Sequence, residues 1–447
     1  MMRYVSALFL ACAAFLAMAA TPARACTNYL IAKGASADGS TMITYSADSH
    51  ELYGELYFRP AAMHAPGATR EIVEWDTGKR LGAIPEAPFT YARVGNINEH
   101  QVSVGETTFG GRKELKDPEG VIDYGSLMYI ALERAKTARE AIQVMTSLAE
   151  THGFYSDGES FSVADPNEVW ILEMVGKGKG GKGALWVARR VPDGYVCAHA
   201  NKARIRQFPT NDPKNTLFSK DVVKFARDKG WFTGDDKDFS FADAYDPMTF
   251  GGVRYCESRV WSAFRRVAPN ENLPVEMAKG IDGGPILPLW VKPEKPLSVH
   301  DVMELMRDHF EGTEFDMTKG VGAGPYACPY RWRPLDWEYE GARYLNERAV
   351  STQQTGFSFV AQARSTLPGP IGGVLWFGVD DTYSTVYVPM YAGIREPPVN
   401  FAVGTGDFHR FTWDSAFWAF NAVAQLAYTR YSDIIPIVRA EQAALEG

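Results

Sequence analysis

The chain is poor in the features that would place it in several well-defined classes. Its 447 residues include five cysteines, too few for a disulfide scaffold and without the CxxC spacing of a structural zinc site. No Lys/Arg cluster is long enough to predict nucleic acid or an anionic membrane as a partner, and the formal net charge is −8. No internal repeat or Pro/Ser-rich linker marks a domain boundary.

One long apolar run is present, and it lies at the N-terminus. It covers Val5–Ala20, follows Arg3, and precedes Ala23-Arg24-Ala25, which supplies small residues at positions −3 and −1 of a signal-peptidase site. Residues 1–25 are therefore predicted to be a signal peptide, and the protein to be periplasmic or secreted. Downstream, no apolar run approaches the ~20 residues that cross a bilayer. We expect residues 26–447 to form one soluble domain, because the pattern contains no clear boundary.

Cleavage after Ala25 would make Cys26 the first residue of the mature chain. A thiol is a weak nucleophile until a base removes its proton, and an α-amine, with an ordinary pKa of about 7.7–8.0, is a competent base at neutral pH. Cys26 would then carry its own base. Its position alone leaves other roles open, namely a half-cystine or a lipid attachment site. A lipid attachment motif, however, favours Leu at −3 and a small residue at −2, where this chain has Ala23 and Arg24.

The residues after Cys26 predict a β-hairpin. Thr27–Ala32 and Thr41–Ala47 are rich in strand-forming residues, and the segment between them contains Asp-Gly. A hairpin folded about Ala37 pairs Cys26 with Asp48, whose carboxylate would orient the α-ammonium. Glycines in the turn permit bulges that shift this register by one or two residues.

Several motifs resemble those of the bacterial C69 cysteine dipeptidases, which belong to the N-terminal-nucleophile hydrolases. They are Cys26-Thr27-Asn28 with the following KGASADGS turn and ADS segment, and the segments Asn98–Phe109, Tyr255–Trp261 and Leu367–Trp376. The resemblance extends over nearly all of residues 26–440. It implies an α+β fold, a four-layer αββα sandwich of two mostly antiparallel sheets, with Cys26 at the end of a central strand.

The resemblance also implies roles for individual residues. Asn201, after the predicted strand Tyr195–Ala200, would donate to the oxyanion, and Arg259, near the start of a helix, would support the thiolate or a substrate carboxylate. Residues expected to line the substrate pocket are Glu106, Thr107 and Tyr45. Tyr45 stands where many relatives carry an arginine, so that a hydroxyl replaces a positive charge.

The expected activity is hydrolysis of dipeptides or short peptides through a thioester, with no metal or organic cofactor. The same groups could cleave a non-peptide amide such as a bile-salt conjugate. A lipid-anchored envelope binding protein and a papain-like enzyme are the alternatives from outside this superfamily. Disulfide pairing among Cys197, Cys256 and Cys328 and assembly into a homo-oligomer are left open. The stretch from Arg307 to Thr313, with its Asp, His and Glu, is expected to be structural.

Periodicity predicts most of the remaining elements. Helices are expected at Tyr124–Ala135, Ala138–Ala149 and from Ser415 to about Tyr431. Strands are expected at Leu52–Phe58 and Ser384–Pro389, among others.

Overall fold

The computed structural model describes residues 26–280, 285–331 and 336–447, so the predicted signal peptide lies outside the described residues. The strands are β1 (Asn28–Ile31), β2 (Thr41–Asp48), β3 (Phe58–Arg59), β4 (Ala62–Met63), β5 (Thr69–Val73), β6 (Arg80–Pro85), β7 (Phe89–Thr90), β8 (Arg93–Val94), β9 (Ile97–Asn98), β10 (Ser103–Gly110), β11 (Gly158–Ala164), β12 (Val169–Gly176), β13 (Ala184–Arg190), β14 (Val196–His199), β15 (Thr216–Phe218), β16 (Trp290–Val291), β17 (Asp336–Tyr339), β18 (Ala342–Leu345), β19 (Thr355–Ala363), β20 (Gly373–Val379) and β21 (Val388–Tyr391).

The helices are α1 (Tyr124–Arg134), α2 (Ala138–His152), α3 (Val222–Asp228), α4 (Phe241–Tyr245), α5 (Ser258–Val267), α6 (Glu276–Lys279), α7 (Val299–Met306), α8 (Gly369–Gly372), α9 (Ala416–Thr429) and α10 (Tyr431–Glu446). A π-helical turn, Gly252–Glu257, leads into α5. Within the described residues, no helix has the length and apolar character needed to cross a membrane.

Two large antiparallel sheets form the centre of the molecule. The first has seven strands in the order β16-β14-β1-β2-β19-β20-β21, and the second has eight in the order β15-β13-β12-β11-β10-β9-β8-β3. Strand β1 is an interior strand of the first sheet, paired with β14 on one side and β2 on the other. Cys26 lies two residues before β1, and Thr27, between them, forms an isolated bridge with Ser46 of β2.

Alternating side chains on the strands divide the apolar residues among three cores. In β1, Leu30 packs between the two sheets, whereas Tyr29 and Ile31 point to the outer face and contact the cluster that contains α5 and α7. Residues of β10–β13 pack outward against α1 and α2 in a third cluster. The layers are thus helix, sheet, sheet and helix, and the predicted α+β sandwich is confirmed.

The ends of the helices follow the sequence signals. Thr137 accepts a hydrogen bond from Glu140 N at the start of α2, as its residue type predicts. The Glu140 carboxylate does not complete a capping box, because it accepts from Lys136 N instead. At α7, Ser298 and Asp301 do form the full reciprocal box.

The register of the N-terminal hairpin differs from the expected one by one residue. Leu30 pairs with Ile43 and Ile31 with Met42, so β1 and β2 pair residues whose numbers sum to 73 rather than 74. The turn contains Gly34 and Gly39, both with positive φ, which gives it the freedom to close one residue earlier. In this register Asp48 is not directly opposite Cys26.

Two predicted strands differ from the structure, and one helix was not predicted. The strand predicted at Leu52–Phe58 is absent except for an isolated bridge at Leu56 and the first residue of β3, Phe58. The strand predicted at Ser384–Pro389 starts only at Val388, since the Ser384 and Thr385 amides donate to Asp381 O in a turn. A second C-terminal helix, α10, was missed, since it carries Pro436 in its interior, a residue that usually ends a helix.

Candidate active site

A cavity of about 220 Å³ opens where the N-terminal end of β1 meets the end of β2. Its lining residues are Cys26, Tyr45, Ala47, Asp48, Ser49, Glu51, Leu52, Tyr53, Glu55, Tyr57, Trp75, Asp76, Glu106, Thr108 and Tyr124. Cys26 is only 6% exposed. Cys26 therefore lies at the wall of a partly open cavity that is large enough for a small substrate.

The main chain of Cys26 is fixed at both ends. Its nitrogen donates to Asn201 Oδ1 at 2.9 Å, and its carbonyl oxygen accepts from Arg259 Nη1 at 2.6 Å. The next residue, Thr27, donates its amide to Ser46 Oγ at 3.1 Å. Cys26 is thus positioned by side chains from segments about 20, 175 and 233 residues away in sequence.

Asn201 follows β14 and has a left-handed backbone, with φ of 59°. Its Oδ1 accepts from both Cys26 N and Arg259 Nη2, and its Nδ2 donates to Thr108 O at 2.7 Å. An amide nitrogen carries two hydrogens. Within the part of the chain that the structure describes, Nδ2 makes this one bond, which leaves its second hydrogen without a partner, and Asn201 is not among the residues that line the cavity.

Arg259, on the first turn of α5, is buried and uses all five N–H donors within the protein. Nε donates to Tyr255 O, Nη1 to Cys26 O and Thr27 Oγ1, and Nη2 to Ala200 O and Asn201 Oδ1, at 2.6–3.1 Å. No donor of the guanidinium remains for a substrate carboxylate in this arrangement. The geometry is that of a positioning residue behind Cys26.

Asp48 ends β2 and is held by three side chains. Arg348 Nη2 donates to its Oδ2 at 2.9 Å, Thr355 Oγ1 to its Oδ1 at 2.6 Å, and Ser46 Oγ to its Oδ2 at 3.2 Å. Burial raises the pKa of Asp48 to about 6, although the Arg348 charge lowers it. Since Ser46 also accepts from Thr27 N, Asp48 is linked to the start of β1 through one hydroxyl. The role of Arg348 was not found from the sequence.

The thiol of Cys26 lies in an acidic environment. Its Sγ is 3.8 Å from Glu106 Oε1. Burial, and then the charge of Glu106, raise the pKa of the Cys26 thiol well above its ordinary value, and a bond from the Asp48 amide only partly offsets them. The neutral thiol is therefore favoured, and a reaction at Sγ requires a base.

Glu106 forms a buried cluster with Tyr45 and Glu159. The Tyr45 hydroxyl donates to Glu106 Oε1 at 2.6 Å, and Thr108 Oγ1 donates to Glu159 Oε1 at 3.0 Å. Burial raises the pKa of both glutamates, and for Glu159 the charge of Glu106 raises it further. Tyr45 and Glu106, two of the residues expected to bind substrate, therefore lie together beside Cys26.

Thr107 points elsewhere. It is fully buried, its Oγ1 lies 2.7 Å from His199 Nδ1, and it does not line the cavity. His199 Nε2 in turn lies 2.8 Å from Ser162 Oγ, and burial lowers the pKa of His199 to about 3. Glu106 therefore lies at the cavity, whereas the side chain of its neighbour Thr107 lies between the sheets, in a neutral polar network with His199 and Ser162.

The acidic and histidine residues near Arg307 serve structure. Asp308 accepts from Ser262 Oγ at 2.5 Å, and His309 Nδ1 lies 3.0 Å from Glu311 Oε1. Among the described residues, no group of three His, Cys, Asp or Glu side chains is arranged to hold a metal ion. The four cysteines of residues 26–447, which are Cys26, Cys197, Cys256 and Cys328, are all free thiols.

Comparison with known proteins identifies the family. The model of peptidase family C69 matches residues 59–444. The chain belongs to peptidase family C69. The assignment places it among the peptidases, which hydrolyse amide bonds. The matched region begins after the Cys26–Asp48 hairpin, so the family match does not include Cys26 or Asp48.

Curated relatives agree with this assignment over most of the chain. A probable dipeptidase of Salmonella dublin is 28% identical over 388 residues, covering 83% of this chain and 82% of the relative. A probable dipeptidase of Latilactobacillus sakei is 25% identical over 425 residues, covering 91% and 82%. A dipeptidase of Bifidobacterium longum is 24% identical over 443 residues, covering 90% and 77%.

Proposed function

We propose that this C69 peptidase is an exported cysteine dipeptidase in which Cys26, as the first residue of the mature chain, is the nucleophile. The observation that carries the proposal is the position of Cys26: its thiol lines the cavity, while its nitrogen donates to Asn201 Oδ1. The names of the curated relatives support the dipeptide substrate. The apolar leader with its small-residue cleavage site supports export to the periplasm or the medium.

Removal of residues 1–25 would convert the Cys26 nitrogen into an α-amine. Amine and thiol are then separated only by Cα and Cβ of the same residue, so the amine can take the thiol proton without any histidine. A base is needed here because burial and Glu106 favour the neutral thiol. Asn201 Oδ1, and Asp48 acting through Ser46, would hold the amine and the start of β1 in place.

In the acylation step, Sγ attacks the scissile carbonyl carbon while the amine accepts the thiol proton. The negative charge that develops on the carbonyl oxygen would be stabilised by the second hydrogen of Asn201 Nδ2, and one such donor contributes about 3 kcal/mol. The intermediate collapses to a thioester as the ammonium returns its proton to the leaving amine.

In the deacylation step, the same amine removes a proton from water, and the hydroxide attacks the thioester carbonyl. Cleavage of the C–S bond releases the amino acid, and the thiolate takes back a proton from the ammonium. Arg259 donates no hydrogen bond to substrate in this scheme. It would fix the Cys26 carbonyl and Asn201 relative to each other.

The proposal is tested by screening dipeptides with the wild-type protein and with Cys26→Ala. We expect hydrolysis by the wild type and none above background by the variant. Cys328→Ala is the matched control, since it removes a free thiol that does not line the cavity, and it should keep full activity. Full peptidase activity in Cys26→Ala would end the assignment.

A further inference from the structure

The cavity wall is strongly biased in charge. Five carboxylates line it, from Asp48, Glu51, Glu55, Asp76 and Glu106, whereas no Lys or Arg is among the described residues of its lining. Asp48 is already paired with Arg348 at 2.9 Å. A substrate that fits such a wall carries positive charge near the carboxylates.

Glu106 is distinguished from the other carboxylates by its burial and its incomplete bonding. It is 1% exposed, and its Oε2 accepts from no N–H or hydroxyl group of the described residues. A buried carboxylate with an incomplete set of donors is costly, and such groups are uncommon in native proteins. A buried carboxylate on a wall whose described lining contains no Lys or Arg is therefore evidence for a cationic ligand.

The distance between Glu106 and the thiol identifies which cation. In a peptide, the α-nitrogen of a residue and its own carbonyl carbon are both bonded to Cα, which puts them about 2.5 Å apart. Attack brings that carbon within about 3–3.5 Å of the sulfur. An α-ammonium therefore lies within about 6 Å of Sγ, and Glu106 Oε1 is 3.8 Å from Sγ.

We propose that Glu106, supported by Glu159, binds the α-ammonium of the residue on the N-terminal side of the scissile bond. This inference rests on the proposed attack by Cys26 on peptides, and it adds a requirement for a free N-terminus. An ammonium next to Cys26 would give Glu106 Oε2 a charged donor, which no N–H or hydroxyl group of the described residues supplies.

Glu159 sets the charge of the site. Burial and the charge of Glu106 raise the pKa of Glu159 well above its ordinary value, so Glu159 is favoured as the neutral acid. Its proton can be donated to Glu106, and the pair then carries a single negative charge, on Glu106. One negative charge matches one ammonium. The Tyr45 hydroxyl fixes Glu106 Oε1 without adding a positive charge that would compete with the ligand.

The experiment compares two substrates of nearly the same shape, L-alanyl-L-alanine and L-lactyl-L-alanine, in which a hydroxyl replaces the ammonium. For the wild type we expect kcat/KM to favour the dipeptide by on the order of 100-fold or more, because the analogue leaves a buried charge unpaired. Glu106→Gln should lose most of this preference, falling to less than about tenfold, chiefly by slowing the dipeptide.

Two further variants separate recognition from folding. Glu106→Asp keeps the charge and should retain part of the preference, whereas Glu114→Gln removes an exposed carboxylate and should behave as wild type.

Equal losses on both substrates in Glu106→Gln, or a wild type that cleaves both substrates equally, would overturn the proposal. If the wild type hydrolysed neither substrate nor any other dipeptide, the proposed function itself would fail. In that case the ammonium site is still tested by calorimetry, which measures the binding of alanyl-alanine to Cys26→Ala. If the double variant with Glu106→Gln bound alanyl-alanine with the same affinity, the proposal for Glu106 would be overturned.

Discussion

Replacement of Arg259 by lysine tests how Cys26 is positioned. The guanidinium fills five acceptors at once, three of them on Cys26, Thr27 and Asn201. An ammonium keeps the charge but offers three donors from one point, so at least two acceptors lose their partner. The substitution therefore changes geometry with little change in electrostatics.

The magnitude follows from the number of unpaired groups. Each buried acceptor left without a donor costs about 1–3 kcal/mol, so Arg259→Lys should lower the free energy of unfolding by about 2–6 kcal/mol. For a chain of this size that corresponds to a decrease in Tm of roughly 1 °C per kcal/mol. Cys26 and Asn201 also lose their common anchor, and a displacement of about 1 Å at the reacting atoms costs on the order of 100-fold in rate.

The assays are thermal unfolding and kcat/KM on a dipeptide that the wild type hydrolyses. Arg265→Lys is the matched control, since it lies on the same helix, is only half-buried and donates to Glu311 O alone among the described hydrogen bonds. It should change neither quantity appreciably. If Arg259→Lys kept the wild-type Tm and stayed within tenfold of its activity, the account of Arg259 as the residue that positions Cys26 would be refuted.

Three other predictions concern stability and thiols. The pKa of His199 is about 3 when folded and 6.5 when exposed, so the unfolded chain binds an extra proton between these values. His199 should therefore cost the folded state roughly 1.4 kcal/mol per pH unit as the pH falls below 6.5, and His199→Gln should reduce that slope in urea unfolding. Phe264→Ala, at a site with 0% exposure, should cost about 3–5 kcal/mol, against less than about 0.5 kcal/mol for Ile437→Ala at 65% exposure. Unreduced, unfolded protein that begins at Cys26 should titrate four thiols.

Each of these has an outcome that would contradict it. Equal pH slopes in His199→Gln and wild type would show that His199 is not buried in its neutral form. Similar losses at Phe264 and Ile437 would contradict the packing of α5 on the first sheet. A titration of two thiols would show a disulfide where the structure has free cysteines.

The sandwich was expected from the resemblance to the C69 dipeptidases, whereas the individual strands and helices were predicted from local signals. Strand alternation, helix caps and turn glycines act over a few residues, and β1, β2, α1 and α2 lie close to their expected positions. Register is less local, since one extra residue in the turn shifts every pair. That is why Asp48 was expected opposite Cys26 and lies one position further on.

The site contains contacts that no local pattern encodes. Arg348 and Thr355 reach Asp48 from about 300 residues away, and Glu159 meets Glu106 from the neighbouring strand. One error was avoidable. Neighbouring residues of a strand point to opposite faces of the sheet, so only one of Glu106 and Thr107 could have been expected to face the cavity.

The central claim is that Cys26 is a free N-terminal nucleophile, and the intact mass and N-terminal sequence of the exported, active protein test it most directly. The account predicts a chain that begins at an unmodified Cys26, with amine and thiol both free. Active protein that retains residues before Cys26, or that carries an acyl group on its nitrogen, would remove the base from the mechanism and contradict the account.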